Sequence, residues 1–410
     1  MKRHYHSIAT AFAVLILGGC LGGQFDLGSS ANPPDDVKLV AGDSSVTVTW
    51  TMAPNVEYWI FSAPADTIST DGWARLIGVR ASIDAKSPQV VTGLANDLKY
   101  SFTVNARVDG GPGGPGSTSV SVVPRIAGAE WSVGKPLAND LRGVAFGAVF
   151  VAVGASGALY SSPDFNSWTP VAWTPQKNPL AGLPDLNAVT YGIPGYLAAG
   201  VGGTLLLSTD AITWTAQNSA TVNNLYAVAS NGGNLLLAVG ATGTIINSAD
   251  GKTWTTSTSG TAQDLFGLAY GNGKFVAVGA AGTLLTSIDG TTWTPVASNT
   301  STKLNSVIYG VNSTTAVATF VAVGDAGTLV TSVDGLTWTV QTAITSSNLA
   351  SVTYARQFVA VGDKGALFTS TDGITWQARA SGTVNDLRSV ARSVSNYSAV
   401  GVSGTNLSSI

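Results

Sequence analysis

Apolar and polar positions in the last two thirds of the chain repeat as short strands separated by tight turns. Between the strands of one clear copy stand Asn272-Gly273 and Asp289-Gly290. Such pairs are the strongest local hairpin signals, because both residues tolerate a positive φ. Each unit between residues 130 and 410 is therefore predicted to be a four-stranded antiparallel meander. In this copy the predicted strands are residues 265–270, 274–278, 283–287 and 292–296.

The second strand of each unit is apolar at consecutive positions rather than at alternate ones. The run Phe-Val-Ala-Val-Gly begins at Phe150, Phe275, Phe320 and Phe358. A strand of this kind is buried on both faces, which predicts sheets stacked face to face around an axis. Recurring Ala and Gly suit a ring that narrows toward its centre.

A Gly-x-x-Gly step followed by Trp marks each unit. The last glycine pair, Gly401 and Gly404, has no Trp after it, whereas Trp131 stands alone before the first pair. We therefore expect residues 130–133 to supply the last strand of the final unit. The predicted fold is all-β, a seven-bladed β-propeller over residues 129–410, closed by pairing of its N- and C-terminal strands. The Gly and Trp partners are Gly154 with Trp168, Gly200 with Trp214, Gly240 with Trp254, Gly279 with Trp293, Gly324 with Trp338 and Gly362 with Trp376.

Two insertions interrupt the period. Residues 171–185 contain Trp173, which lies off the repeat, and are expected to lengthen the first connection between units. Residues 311–319 are expected to lengthen the first hairpin of the fifth unit.

Residues 37–125 have a different pattern, with strands predicted at 45–51, 57–62 and 99–108. Leu94 stands six residues before Tyr100, Trp50 lies on an early strand, and a Gly-Pro-rich loop precedes the last strand. This region resembles a fibronectin type III domain. The resemblance implies a small β-sandwich with a tyrosine corner, and a spacer role is predicted for it.

The N-terminus, residues 1–20, has Lys2 and Arg3, an apolar run, and then Leu17-Gly18-Gly19-Cys20. It is predicted to be an export signal. Its ending resembles the lipobox of bacterial lipoproteins, which implies acylation of Cys20, and Leu21 in place of Asp implies the outer membrane or cell surface. Residues 21–36 are expected to form a flexible tether. An ordinary secretory signal with an incidental Cys20 is the alternative.

Composition excludes several classes of chemistry. The net charge is −3, and the repeats contain no Lys/Arg cluster that could bind nucleic acid. His4 and His6, the only histidines, are lost with the signal, and Cys20 is the only cysteine. The mature chain therefore has no group for Ser-His-Asp or Cys-His catalysis or for a His/Cys zinc site. No metal and no cofactor are predicted.

The turn before most motif tryptophans has the sequence Ser-x-Asp-Gly-x-x-Trp. It resembles the Asp-box of sialidase-like (BNR) propellers and of photosystem II assembly factor propellers. The resemblance implies that the aspartates are structural, with each carboxylate accepting N–H bonds in its own turn. These residues are Asp250, Asp289, Asp334 and Asp372, together with Asp164 and Asp210, whose turns have another residue in place of the Gly.

Sialidase catalysis would require three convergent arginines, a Tyr nucleophile with a Glu, and an acid/base Asp. Arginines are sparse between residues 129 and 410, and Glu130 is the only glutamate there. The protein is accordingly predicted not to be an enzyme.

A binding patch is predicted on the face formed by the Gly-x-x-Gly turns. Asp325, Asp363 and Lys364 stand in those turns, where other units carry small residues, and Trp173 is expected to add an exposed aromatic anchor. The predicted function is a lipid-anchored scaffold that binds an envelope or extracellular protein. The alternatives are solvated turn residues without function, and a glycan-binding or glycan-hydrolysing surface protein.

Overall fold

The computed structural model of the chain describes residues 28–162, 173–312, 315–393 and 396–409. Cys20, Asp164 and Trp168 lie outside these residues. The chain divides into two compact units. Within the described residues the first unit comprises 28–38, Thr49–Gln89 and Tyr100–Ser121, and the second comprises Leu39–Val48, Val90–Lys99 and 122–409.

The first unit contains a five-stranded sheet. Its longest strand, Tyr100–Val108, pairs with Glu57–Ala63 and also with Ser29–Ala31. The prediction that residues 21–36 form only a tether is therefore wrong for Ser29–Ala31, because these residues extend along an open edge and complete its backbone hydrogen bonds. The remaining elements are strands Arg80–Ser82 and Val120–Val122 and the 3₁₀ turn Trp73–Arg75.

The second unit begins with a three-stranded sheet in which Val46 and Val48 are fully buried. Its strands are Lys38–Gly42, Ser45–Thr49 and Gln89–Thr92.

The rest of the second unit, within the described residues, is built of seven four-stranded antiparallel sheets, numbered 1 to 7 by their first strands. Sheets 1 to 4 comprise Leu141–Phe146, Phe150–Gly154, Leu159–Ser162 and Thr174–Pro175; Leu186–Tyr191, Tyr196–Gly200, Leu205–Ser208 and Thr215–Gln217; Leu225–Ser230, Leu236–Gly240, Ile245–Ser248 and Thr255–Ser257; and Leu265–Gly271, Lys274–Gly279, Leu284–Ser287 and Thr294–Pro295. Sheets 5 to 7 comprise Leu304–Val311, Ala318–Gly324, Leu329–Ser332 and Thr339–Val340; Leu349–Tyr354, Phe358–Gly362, Leu367–Ser370 and Gln377–Ala378; and Leu387–Arg392, Tyr397–Gly401, Asn406–Ser409 and Trp131–Val133.

A three-residue 3₁₀ turn joins the second and third strands of every sheet. These turns are Ala155–Gly157, Val201–Gly203, Ala241–Gly243, Ala280–Gly282, Asp325–Gly327, Asp363–Gly365 and Val402–Gly404.

The Gly-x-x-Gly spacing follows from two close backbone approaches in this turn. In sheet 3 a Cβ on Gly240 would lie 1.9 Å from the carbonyl oxygen of Asn224. Gly243 has a φ of +70°, and a Cβ there would lie 2.0 Å from the carbonyl oxygen of Thr261. Only glycine fits both positions, which explains why the pair marks every sheet.

Neighbouring sheets pack through their first strands. The first strand of each sheet contacts that of the next, and the first strand of sheet 7 contacts that of sheet 1. The apolar cluster between sheets 1 and 7 contains Leu141, Val144 and Phe150 from sheet 1 and Ala391 and Val400 from sheet 7. Buried apolar contact is therefore continuous from the first sheet to the last and back to the first.

The two ends of the repeat region together form one turn motif. In sheet 3, Gly251 donates its N–H to the Ser248 hydroxyl (2.8 Å), and Trp254 Nε1 donates to the Gly251 carbonyl (3.1 Å). Near the chain ends, Gly128 donates to the Ser409 hydroxyl (2.8 Å), and Trp131 Nε1 donates to the Gly128 carbonyl (2.9 Å). Trp131 thus makes the contacts of a motif tryptophan, with its serine supplied by the far end of the chain.

Trp173 occupies the place of the motif tryptophan in sheet 1. Thr174 pairs with Ser161 as Thr215 pairs with Leu207 in sheet 2, so Trp173 corresponds to Trp214. Its side chain is 9% exposed and belongs to the apolar cluster between sheets 1 and 7. The expectation of an exposed Trp173 is therefore wrong. Most of the inserted residues precede Trp173 in the sequence, so Trp173 itself takes the buried position of the motif tryptophan.

The second insertion lengthens the first hairpin of sheet 5, as expected. Val311 pairs with Ala318, so the ladder extends beyond that of sheet 6, where the pairing ends at Tyr354 with Phe358. Among the described residues, no helix combines the length and the apolar character needed to cross a lipid bilayer.

Candidate functional site

The first strands of all seven sheets line a cavity of about 660 Å³. Each first strand has a register shift after its opening leucine, as between Leu141 and Gly143, so that one residue is skipped in the pairing. A bulge of this kind changes the direction of a side chain, so that it no longer follows the alternation of the paired strand. The skipped residues all line the cavity, and we call them the mouth residues: Arg142, Asn187, Tyr226, Phe266, Asn305, Ala350 and Arg388.

In all but one sheet, the side chain of the residue just before the opening leucine bonds to the preceding sheet. The Asp185 carboxylate accepts the N–H of Ser156, a turn residue of the preceding sheet, at 2.7 Å. Six of the seven positions carry Asp or Asn and make this bond to a turn residue with positive φ. These six acceptors are Asp140, Asp185, Asn224, Asp264, Asn348 and Asp386. The seventh position is Lys303, which cannot accept such a bond.

The two arginines at the mouth are neutralised by neighbouring carboxylates. Arg142 donates to Asp185 (2.7 Å) and to the Asn187 side-chain oxygen (2.9 Å). Arg388 donates to Asp386 (2.9 Å) and to Asp363 (3.2 Å). These pairs are partly exposed, so they orient the guanidinium groups more than they stabilise the fold.

The aromatic side of the mouth has a different character. The rings of Tyr226 and Phe266 lie 5.2 Å apart between centroids, and both side chains are partly buried. Lys303 Nζ lies 4.1 Å from the centroid of Phe266, within the range of a cation–π contact. Half-buried aromatic rings beside a cation form an amphipathic surface open to a ligand.

The structure brings together two of the four residues predicted to form a binding patch. Asp325 and Asp363 line a pocket of about 310 Å³ at the mouth, together with Lys303 and Arg388. Lys364 has a left-handed backbone, its N–H donates to Asp386, and its side chain is exposed. Trp173 is instead buried between sheets.

The mouth residues themselves were missed in the sequence analysis. In the sequence, each of these residues follows the leucine that opens a first strand. The leucine is the same in all seven sheets, whereas the residue after it differs and ranges from Arg to Ala. Only the bulge reveals that this residue lines the cavity, since simple alternation would place it differently.

The aspartates of the Ser-x-Asp turns form backbone bonds within their own turns. Asp250 accepts the N–H groups of Lys252 (2.8 Å) and Thr253 (2.7 Å) and the Ser248 hydroxyl (3.0 Å). The same bonds are made by Asp210, Asp289, Asp334 and Asp372.

These bonds favour the ionised carboxylate. Two backbone N–H donors lower the pKa of Asp210, Asp250 and Asp334 to about 2, and they lower the pKa of Asp289 further. For Asp372, burial raises the pKa, but bonds from Ile374 and Thr375 outweigh it and the net shift is downward. A carboxylate that is held ionised in its own turn is unsuited to act as a general acid.

Three of the five arginines between residues 129 and 410 line the 660 Å³ cavity, and Arg142 and Arg388 among them are already paired with carboxylates. Arg356 bonds to Asp43 and Ser44, and Arg379 bonds to Thr369 on a third strand. Arg392 ends the first strand whose other end carries Arg388. In the part of the chain that the structure describes, no group of three or more His, Cys, Asp or Glu could hold a metal ion.

No protein-family profile and no curated protein sequence matches the chain. Among solved structures, YCF48 bound to D1 peptide is similar with a TM-score of 0.54 and 18% identity, covering 68% of this chain and 94% of that one. YCF48 from Cyanidioschyzon merolae gives 0.52 and 18%, with 68% and 98% covered. The WD40 β-propeller domain of Doa1 gives 0.55 and 12%, with 68% and 95% covered. These likenesses show a β-propeller fold.

Proposed function

We propose that residues 129–410 form a closed seven-bladed β-propeller that binds a protein partner at the mouth of its axial cavity and performs no catalysis. Closure is supported by the pairing of Leu407–Ser409 with Trp131–Val133 and by the apolar cluster that joins sheets 1 and 7. The seven four-stranded sheets then correspond to the seven blades.

The observation that carries the binding proposal is the mouth itself. Tyr226, Phe266 and Lys303 meet there at the edge of a large cavity, and aromatic residues are enriched in protein interfaces. One of the similar structures is that of YCF48 bound to a D1 peptide, so a propeller fold of this kind can hold a peptide.

A photo-crosslinking experiment tests this role. The photoreactive residue p-benzoyl-phenylalanine replaces Ala350 at the mouth, or Ile288, which is 78% exposed on an outer turn, as a matched control. In intact cells we expect one dominant crosslinked protein from position 350 and not from position 288. No crosslinked protein, or the same proteins from both positions, would contradict binding at the mouth.

We further propose that the protein is anchored at the outer membrane or cell surface by lipid on Cys20, with residues 37–125 as a fibronectin type III-like spacer. The sequence Leu17-Gly18-Gly19-Cys20 supports this anchoring. Cys20→Ala is expected to move the protein from the membrane fraction to the soluble fraction, measured by immunoblotting. A variant that stays in the membrane fraction would exclude the anchor.

The glycan-active alternative is tested with the purified full chain on sialosides and a glycan array. Partly buried aromatic rings at the mouth can also stack on a sugar. Turnover of a sialoside that is abolished by substituting one aspartate would replace the scaffold proposal by a hydrolase.

A further inference from the structure

Lys303 is the one exception in an otherwise regular ring of acceptors. At the six equivalent positions, an Asp or Asn side chain accepts the N–H of a left-handed turn residue in the preceding sheet. In sheet 4 that turn residue is Ala281, with a φ of +51°. Within the described residues no hydrogen bond to the Ala281 N–H is found.

The ammonium group of Lys303 is also without an anionic partner. Arg142 and Arg388 are both paired with carboxylates, whereas among the described residues no carboxylate forms an ion pair with Lys303. Its contact is with the Phe266 ring, and an ammonium group retains N–H donors in that arrangement. The position that carries a side-chain acceptor in the other sheets thus carries a cation here, and the N–H of the adjoining turn is left without that acceptor.

The surroundings restrict the anion that fits this place. Lys303 lines the 310 Å³ pocket together with the aromatic residues Phe266 and Tyr226, the carboxylates Asp325 and Asp363, and Arg388, which is paired with Asp363. A polyanion or a phosphate would meet those carboxylates and be repelled. A single carboxylate that approaches over the aromatic side avoids them.

Building on the proposed function, we propose that Lys303 and the Ala281 N–H bind one carboxylate of the protein partner, while Phe266 and Tyr226 pack against an apolar or aromatic side chain beside it. The partner segment therefore carries an Asp, a Glu or a free C-terminus next to an apolar residue. The partner's carboxylate then accepts the turn N–H of sheet 4, as the Asp185 side chain accepts the turn N–H of sheet 1.

The test uses the full-length protein and selected peptides. Random decapeptides are displayed and selected on the immobilised protein, and the enriched sequences are synthesised with a fluorescent label for anisotropy titration. We expect them to pair a carboxylate with an apolar or aromatic residue. Amidating the peptide C-terminus, or changing its Asp and Glu to Asn and Gln, separates the two sources of the carboxylate. The modification that removes the bound carboxylate should weaken binding about ten-fold or more.

The protein variants separate binding from folding. Lys303→Asn introduces the side chain found at Asn224 and Asn348, so we expect thermal stability to be equal or higher while peptide binding weakens about ten-fold or more. Lys252→Asn, at an exposed lysine on an outer turn, is the matched control and should leave affinity unchanged.

The outcomes distinguish the two levels of the proposal. Peptides that bind equally to the Lys303→Asn variant, or that bind without any carboxylate, would overturn the carboxylate site and leave the scaffold role intact. No peptide enriched at all, with sialosides bound instead, would overturn both.

Discussion

The carboxylates of the Ser-x-Asp turns couple stability to pH. Their ordinary pKa is near 3.8, and in the folded protein that of Asp210, Asp250 and Asp334 is about 2. Because the folded pKa lies below the unfolded one, the stabilisation is fully present above about pH 4 and is lost as the pH falls toward about 2.

We therefore predict a smaller acid effect when these three carboxylates are replaced by amides. The variant Asp210→Asn, Asp250→Asn, Asp334→Asn keeps an oxygen that can accept the turn N–H groups but cannot titrate between about pH 4 and 2. Its free energy of unfolding should fall less over this range than that of the unsubstituted chain, as measured by urea denaturation at each pH. An equal fall in both proteins would contradict the assignment.

Two substitutions at the left-handed position of the 3₁₀ turn are expected to change the free energy of unfolding in opposite directions. Gly202 (φ +65°) and Ala326 (φ +51°) occupy equivalent positions, and a Cβ added to Gly202 would meet nothing within 4 Å. A left-handed conformation costs a non-glycine residue about 1–2 kcal/mol, partly offset by the greater freedom of glycine in the unfolded chain. We expect Ala326→Gly to raise the free energy of unfolding by about 0.5–1 kcal/mol and Gly202→Ala to lower it by a similar amount. Shifts of the same sign in thermal or urea denaturation would show that side-chain contacts dominate instead.

At the level of the element, each sheet is completed by a tryptophan packed against its neighbour. Trp254 belongs to a cluster with Leu197 and Leu205 of the preceding sheet, and Trp338 belongs to one with Val276 and Val278. Trp173 has this role in sheet 1, against Val400 of sheet 7. The tryptophan is thus a packing residue between sheets.

Removing Trp173 should therefore destabilise the fold as much as removing Trp214. Truncating a buried tryptophan to alanine costs about 3–5 kcal/mol, and we expect Trp173→Ala and Trp214→Ala to fall in this range in urea denaturation. Ile288→Ala, at an exposed turn position, is the control and should change stability by less than about 0.5 kcal/mol. A Trp173→Ala effect as small as that of the control would show that Trp173 does not complete sheet 1.

At the level of the whole molecule, the pairing of the two ends should be trappable by a disulfide. Ser132 and Ser408 are direct partners across the strands, with hydroxyl oxygens 3.1 Å apart. We predict that Ser132→Cys with Ser408→Cys forms an intramolecular disulfide under oxidising conditions. Because the crosslink closes a very long loop, it should stabilise the fold by about 2–4 kcal/mol.

The measurement is the difference in melting temperature between the oxidised and reduced forms, with crosslinking followed by non-reducing electrophoresis. Each single-cysteine variant is the control and should show no such difference. Failure of the double variant to crosslink within one chain would contradict the closed ring.

Much of the element level was readable from the sequence. The prediction of an all-β chain of four-stranded meanders is confirmed, and in sheet 4 the predicted strands begin and end within two residues of the observed ones. The reason is local: Asn-Gly and Asp-Gly turns and the Gly-x-x-Gly step act within a few residues, and their steric demands do not depend on distant parts of the chain.

The predictions that failed concern positions that are set by contacts between residues far apart in the sequence. Trp173 lies off the repeat spacing, yet it completes sheet 1, because it packs against sheet 7. The sequence of Ser29–Ala31 is typical of a linker, yet these residues form a strand because the open edge of strand Tyr100–Val108 supplies their hydrogen-bond partners.

The repeat period, the turn chemistry and the absence of histidine and cysteine between residues 129 and 410 were determined by the sequence alone, because each depends on residue identity or on neighbours along the chain. Which residues line the mouth of the cavity was decided only by the tertiary structure. The bulge after each opening leucine directs Tyr226, Phe266 and Arg388 into the cavity, and the ring of acceptors that makes Lys303 exceptional exists only when one sheet packs against the next. A site assembled from single residues of successive repeats has no local signature, because its members share only a position around the axis.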